Sequence, residues 1–425
     1  MGMTMTEKTL AAAAEEDAVE PGDVIYPRFS LITGTEMSIP RVRAVLSDMG
    51  VSQVADPGRV MVVSDHYHPG VAPDYLEQNR LTREFVSRFG IAGYAPAGRG
   101  GVAYLHVSDQ ARVIPGDTVV AGDAHGTAYG ALGAFGMAVG STDLAVAMTL
   151  GQLWVQVPES VKVTFVGQRE QLVTGKDLAL ALQREATPGL LTGKAVEFHG
   201  DVLEELSLGD RFTLADQAGA AGALNAIMPP NQLVLEYLEE ATAREAEYHF
   251  PDEDAGYAEE IEIDLDELEP MLEEAGEPGK IYGVSAVQEE IPVHQVIIGG
   301  CSGGNIDDLW MAAKVMKYRE THDQVRLVII PGSSRVYRRM VNEGLASIFI
   351  ELGASIFPPV CGVCPDSLIG ELTSGEQAVV TGRGRYDGSG TRTWSAGPAV
   401  AAAAAVTGRL TDPGTLVTEP ETLTE

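Results

Sequence analysis

The sequence predicts a layered α/β fold with its chemistry at strand ends, and three observations carry that prediction. Short β-branched runs alternate with helical stretches from Ile25 onward. Hydrophobic residues make up 45% of the chain but aromatics only 6%, so the core must be mostly Ala, Val, Leu and Ile. Several apolar runs stop directly at Gly, Asp or His, as the strands of a parallel sheet do where they present functional groups.

Taken in order, residues 1–22 read as a disordered leader, because an Ala run is followed at once by Glu and Asp. It lacks the basic start and apolar stretch of a signal peptide. RVMVVSDH (59–66) is a strand ending in polar residues, and DYLEQNRLTREFVSRF (74–89) is an amphipathic helix. GVAYLHVSD (101–109), DTVVAGDAHG (117–126), KVTFVG (162–167) and KAVEFHG (194–200) read as further strand-then-polar segments. Segment 251–280 holds thirteen acids, one Lys and three prolines, which suggests a solvated connector with one short strand, IEIDL. After it come βα units: HQVIIGGCSGGNIDDLWMAAKVMK, VRLVIIPGSSRVYRRMVNEG and a third from SIFIELGASIFPPVCGVCPD. The connector thus separates two lobes.

With 29 Lys and Arg against 61 Asp and Glu, the net charge is −32. Such a surface repels phosphate, which disfavours nucleic acid and anionic membranes as partners. No apolar run approaches the roughly 20 residues a spanning helix needs, and a cytoplasmic location is expected. Three cysteines, an odd and small number, argue against a secreted disulfide framework.

The placement of those cysteines matters more than their number. Cys301 follows the apolar run VIIGG, and Cys361 and Cys364 form a C-x-x-C pair. Three thiolates suit an iron–sulfur cluster or a three-cysteine zinc site. A buried cysteine after a strand is more often just a small apolar residue, and a lone C-x-x-C also fits redox chemistry. Spacing alone leaves these readings level.

Polar groups collect in the first third of the chain. Asp65-His66 ends a strand, His106 sits in AYLHVSD, and Asp123 and His125 sit in GDAHG. Glu197 lies in KAVEFHG. A carboxylate beside an imidazole orients it as an acid or base near neutral pH, although a histidine at a strand end is usually a surface or core residue. His68, His199, His249, His294 and His322 are read as such. The glycines of AYGALGAFGMAVGS mark close packing rather than a phosphate cradle, because no P-loop lysine follows.

Together these segments resemble the aconitase/3-isopropylmalate dehydratase family, and specifically its large subunit. VVSDH, LHVSDQARVIPGDTVVAGDAHGTAYGALGAFGMAVGSTD, LWVQVPESVKV, TGKAVEFHG, VIIGGCSGGNIDDL, VIIPGSSRVYRRM, PPVCGVCPD and AGPAVAAAAAVTGRLTDP carry the likeness. It covers about Arg28 to Pro413. The resemblance implies three α/β/α domains, over 23–158, 159–290 and 291–425, around a 4Fe–4S cluster held by Cys301, Cys361 and Cys364, with one iron open as a Lewis acid. It implies a hydro-lyase or isomerase acting on a small di- or tricarboxylic acid. Asp65-His66 would handle the proton on the departing hydroxyl, while His106, Asp123, His125 and Glu197 would orient water and substrate oxygens. The chain stops where one-chain relatives continue into a swivelling domain, so a separate small subunit is expected to supply the serine base.

Four departures from the family pattern stand out. D-S-H-T becomes GDAHG, losing hydroxyls at Ala124 and Gly126. C-T-N-G becomes CSGG, losing an amide at Gly303. The second cysteine motif reads CGVCPD. The arginine motif S-N-R-N-F-x-G-R becomes TGRGRYDGSG, leaving Arg383, Arg385 and Arg392 as candidates to hold substrate carboxylate. The rebuilt clamp is read as pointing to a specialised substrate rather than the common 3-isopropylmalate, within a set of 3-isopropylmalate, homoaconitate, a methylmalate-like acid or a specialised analogue. The rival readings are a non-catalytic family member and a C-x-x-C zinc or redox protein.

Overall fold

A computed structural model describes residues 2–68, 72–239, 241–242, 244–276, 279–287, 289–317, 319–362, 369–383 and 391–417. Cys364 and Arg385 lie outside the described residues. The chain forms two compact units that interleave along the sequence. The first is Met1–Phe165, Ala186–Glu205 and Leu214–Ile263; the second is Val166–Glu185, Leu206–Thr213 and Asp264–Glu425. The sequence reading divides the chain linearly into three.

In the first unit, α1 (Met5–Ala14) precedes β1 (Leu31–Thr35), β2 (Val60–Val63), α2 (Pro73–Phe89), β3 (Gly93–Ala95), α3 (Ala103–Asp109), β4 (Thr118–Ala121) and β5 (Phe135–Ala138). The five strands form one sheet in the order β3-β2-β1-β4-β5, every pair parallel. The chain winds outward from β1 to β3 on one side, then returns to build β4 and β5 on the other. The C-terminal ends of β1 and β4 therefore flank the point where winding reverses, a crevice that doubly wound sheets use for ligands. A four-stranded sheet adds β6 (Ser160–Val166), β7 (Ala195–His199), β8 (Asn225–Ile227) and β9 (Glu259–Asp264), in the order β8-β7-β6-β9.

The second unit repeats the logic. Its sheet contains β10 (Met271–Glu274), β11 (Ile281–Gly283), β12 (Gln295–Gly299), β13 (Arg326–Ile330), β14 (Ser355–Ile356), β15 (Gln377–Val380) and β16 (Arg392–Ala396). The order is β11-β10-β16-β15-β12-β13-β14. The five strands from β16 to β14 run parallel, and β10 and β11 add an antiparallel edge. Winding reverses between β12 and β15. Alternation along β12 sends Val296 and Ile298 to one apolar cluster and Ile297 to another. The first cluster also takes Ala399–Ala405 of α4 (Pro398–Thr407), a helix of small side chains that lies against β12.

Four expectations are corrected. The stretch expected to be a disordered leader, 1–22, carries the helix α1. Thr4 and Glu7 form a capping box on α1, and Met5 and Leu10 are fully buried, which stabilises the helix by roughly 1.5–3 kcal/mol per side chain. The Ala run was a helix, and its anchoring side chains stand at its start. Residues 103–109 are helical rather than a strand, because a short apolar run fits either period and the carboxylate of Asp65 accepts from the Ala103 N–H at the helix start. Within 251–280 there are two strands, β9 and β10, where one was expected; β10 pairs with β16 and β11. SIFIE, expected to open a third βα unit, lies on the Leu345–Glu351 helix, and only Ser355–Ile356 is strand.

The glycine-rich stretch 126–140 forms a tight 3-10 turn and β5. A Cβ at Gly130 would fall 1.5 Å from the Ala226 carbonyl oxygen. Those glycines allow backbone to meet backbone, and among the described residues no helix is long and apolar enough to cross a membrane.

Candidate active site

Because β1, β2 and β4 are adjacent and parallel, the residues just past their ends share one edge of the first sheet. Glu36 follows β1, Asp65-His66 follows β2, and Asp123 and His125 follow β4. Asp65 is buried. Its Oδ1 lies 2.5 Å from His66 Nδ1, and its Oδ2 accepts from the Ala103 N–H at 2.9 Å. A carboxylate at Nδ1 fixes the tautomer and orientation of the ring.

Asp123 lies close enough to this pair for charge to matter. Burial is the main cause that raises its pKa; the charge of Asp65 raises it too, while His125 and His66 lower it. Asp123 Oδ1 accepts from the His125 N–H at 2.8 Å. His125 Nδ1 in turn sits 2.6 Å from Oδ1 of Asp216, a wholly buried carboxylate on the Leu208–Ala220 helix. The site thus contains two carboxylate–imidazole pairs. Tyr129 stands nearby, its hydroxyl kept protonated by burial first and then by Asp123 and Asp65.

His106, on α3, is placed beside this edge by the same helix that receives Asp65. The Gln110 amide reaches its Nε2 at 2.8 Å, and burial pushes its pKa down. An imidazole held neutral in this way orients rather than donates as a cation.

Glu197 does not join the group. It lies on β7, wholly buried, and accepts from Met5 N (3.2 Å), Thr6 N (2.8 Å) and the Tyr257 hydroxyl (3.1 Å). Those are the first two N–H groups of α1, so Glu197 seats the N-terminal helix. Burial raises its pKa and the N–H bonds lower it. Of the histidines set aside in the sequence, His199 lies beside Tyr257, 3.4 Å from its hydroxyl, and burial holds its pKa down to about 4.

Two residues of this region were missed from the sequence. Glu36 is the third carboxylate of the crevice, and Asp216 orients His125. Neither sits in a motif; a charged residue directly after an apolar strand was the available signal for Glu36.

In the second unit the cysteines stand at the sheet's C-terminal edge. Cys301 and Cys361 are buried, and their Sγ atoms lie within 4.8 Å of each other. The Cys301 N–H donates to the Cys361 carbonyl at 3.0 Å, which ties the two loops together. A Cβ at Gly300 would fall 2.5 Å from that same carbonyl oxygen, and φ there is +85°, so only glycine permits this approach. Thr381, just past β15, completes the clamp. Its Oγ1 accepts from Gly299 N (2.8 Å) and donates to the Ser302 carbonyl (2.9 Å). The hydroxyl therefore closes the switch point between β12 and β15.

Comparisons with known proteins bear on what this frame is for. The model of the Aconitase family (aconitate hydratase) matches residues 59–290 and 284–408. The chain belongs to the aconitase family. A 3-isopropylmalate dehydratase large subunit of Moorella thermoacetica is 39% identical, over 98% of this chain and all of the relative. A 3-isopropylmalate dehydratase large subunit 1 of Pyrococcus abyssi is 38% identical over the same shares. The holo-form of aconitase X from Thermococcus kodakaraensis shares the fold, with a TM-score of 0.50, 14% identity and 89% of each chain covered.

Within the family frame, the departures are built into the backbone. Any side chain at Gly126 would meet the Met137 carbonyl carbon at 2.4 Å, and one at Gly303 would meet Thr381 Oγ1 at 2.4 Å. The space for the lost groups is occupied. Arg392 pairs with Glu274 at 2.7 Å and packs over Trp394, which ties it to its own sheet. Arg383 is partly buried next to residues outside the described set.

Proposed function

We propose that this chain is the large subunit of a two-component iron–sulfur hydro-lyase of the aconitase type, which removes and re-adds water on a small hydroxy di- or tricarboxylic acid. The observation that carries the reading is the pair of buried thiols at the β12 switch point, in a chain matched end to end by dehydratase large subunits. Two soft sulfur donors in glycine-rich loops fit an iron–sulfur cluster, and Cys364 is the third proposed ligand, outside the described residues. A 4Fe–4S cluster bound there would supply Lewis-acid chemistry toward the substrate's oxygens.

The protein's own residues do the rest. His66, set by Asp65, gives its Nε2 proton to the departing hydroxyl. His125, set by Asp216, and neutral His106 orient water and substrate oxygens by hydrogen bonds. Asp123 interacts with the charge of both imidazoles and accepts from the His125 N–H. The base that takes the carbon-bound proton belongs to the small subunit, and Arg383 and Arg385 are the proposed partners of the substrate carboxylate. A 3-isopropylmalate-like acid is the leading substrate class.

The test is anaerobic purification with and without a small subunit, followed by assay on 3-isopropylmalate, homoaconitate and methylmalate-type acids. About four irons and four sulfides per chain are expected, with turnover only when the second protein is present and lost in Cys301→Ser. Absence of stoichiometric iron, or one zinc in its place, overturns the cluster. Full turnover by this chain alone overturns the two-subunit reading.

A further inference from the structure

Glu36 is wholly buried, yet nothing neutralises it by a direct ion pair among its described hydrogen bonds. Burying a carboxylate is costly unless its oxygens are satisfied. Here they are satisfied in an unusual way. Oε2 accepts from Asp65 N at 2.9 Å, and Oε1 accepts from His66 N at 2.7 Å and Tyr67 N at 2.8 Å. Three consecutive backbone N–H groups thus converge on one side chain. An apolar residue would strand all three donors, and a glutamine would turn an N–H₂ against one of them.

The loop gripped in this way is the one that carries the acid–base pair. Its other contacts set one side each. Asp65 Oδ2 reaches α3 through Ala103 N. The Asn79 amide donates to the Tyr67 carbonyl at 3.2 Å, and the Tyr67 ring stacks on Tyr75 at 4.3 Å. Glu36 holds all three residues, and it does so from the neighbouring strand end, at the reversal point of the sheet.

We propose that Glu36 is the positioning residue of the Asp65–His66 pair: its carboxylate fixes the loop that aims His66 and supplies a fixed negative charge that favours the protonated imidazole. The proposal rests on the reading of His66 as the proton donor. Among the described residues, the charges that interact with His66 include Asp65 on its own loop, Glu36 from the end of β1 and Asp123 from the end of β4. Burial raises the pKa of Glu36, as does Asp65, while His66 and the N–H bonds of Tyr67 and His66 lower it. Its coupling to His66 is mutual.

The experiment uses the cluster-loaded two-subunit enzyme and three variants, His66→Asn, Glu36→Gln and Glu36→Asp, each checked for iron content and melting temperature. Glu36→Gln, nearly isosteric, is expected to lower kcat by about 10²-fold with KM changed by less than about twofold, as misaimed catalytic groups do. The alkaline limb of the kcat profile, where His66 loses its proton, should move to lower pH. Glu36→Asp restores the charge and should return that limb toward its original position, even with kcat only partly recovered. If His66→Asn is inactive while Glu36→Gln keeps its kcat and its profile, the positioning role is refuted and the proton-donor reading stands. A Glu36→Gln enzyme that melts earlier with an unmoved profile also refutes it, by showing a merely structural residue. Full turnover by His66→Asn removes the reading and the proposal together.

Discussion

The two crevices of this protein solve the same problem with opposite materials. In the first unit, a loop of acid–base groups is held by buried carboxylates: Glu36 takes three N–H groups, Asp65 takes a helix start and an imidazole, and Asp216 takes a second imidazole. In the second unit, the cysteine loops are held by main chain, glycine and one hydroxyl, with the Cys301 N–H on the Cys361 carbonyl and Thr381 bridging Gly299 and Ser302. Charge placed beside an imidazole tunes its proton. A neutral clamp adds no charge of its own beside the sulfur atoms, which are soft donors. Each frame is matched to what it presents.

The sharpest break in this comparison is His66→Asn. If His66 is the proposed general acid, its loss should cut kcat by about 10²–10⁴-fold, while iron content stays at the wild-type level; iron lost along with activity would show that the two frames are not separable. Thr381→Val should do the reverse. Stranding a buried N–H and a carbonyl costs about 1–3 kcal/mol, so iron should leave faster under chelation, with the pH profile of any remaining turnover unmoved. Unchanged iron retention would take the clamp role from Thr381.

The smallest effect concerns stability alone. His199 is held neutral, its pKa lowered to about 4 chiefly by burial and then by Lys162. The unfolded chain binds that proton first, near the usual histidine value of about 6.5. Its contribution to stability is therefore full above that value and is lost as pH falls toward 4. In His199→Gln the decline of stability across this window should be shallower, measured by urea unfolding at several pH values. An identical slope in the variant would show that the proton is taken up elsewhere.

Much of this was legible from sequence, and the reasons are local. The strands at 60–63 and 118–121 announce themselves as β-branched runs cut off by Asp and His, and a parallel sheet turns such cut-off points into a shared edge. The Cys301 loop was readable because glycines crowd it. The T-x-x-E signal of α1 was also present in Thr4 and Glu7, but the acidic residues after the Ala run hid it. GVAYLHVSD was misassigned because five buried residues in a row fit both periods.

Composition and spacing, by themselves, determined the α/β class, the candidate thiols and the Asp65-His66 pair, since each depends on residues adjacent in the chain. Tertiary structure alone decided that Glu36 grips the loop 29 residues away at Asp65, that Asp216 pairs with His125, and that Glu197 serves α1 rather than the crevice. A buried carboxylate takes its role from whichever N–H groups the fold delivers to it, and strand order, not sequence distance, makes that delivery.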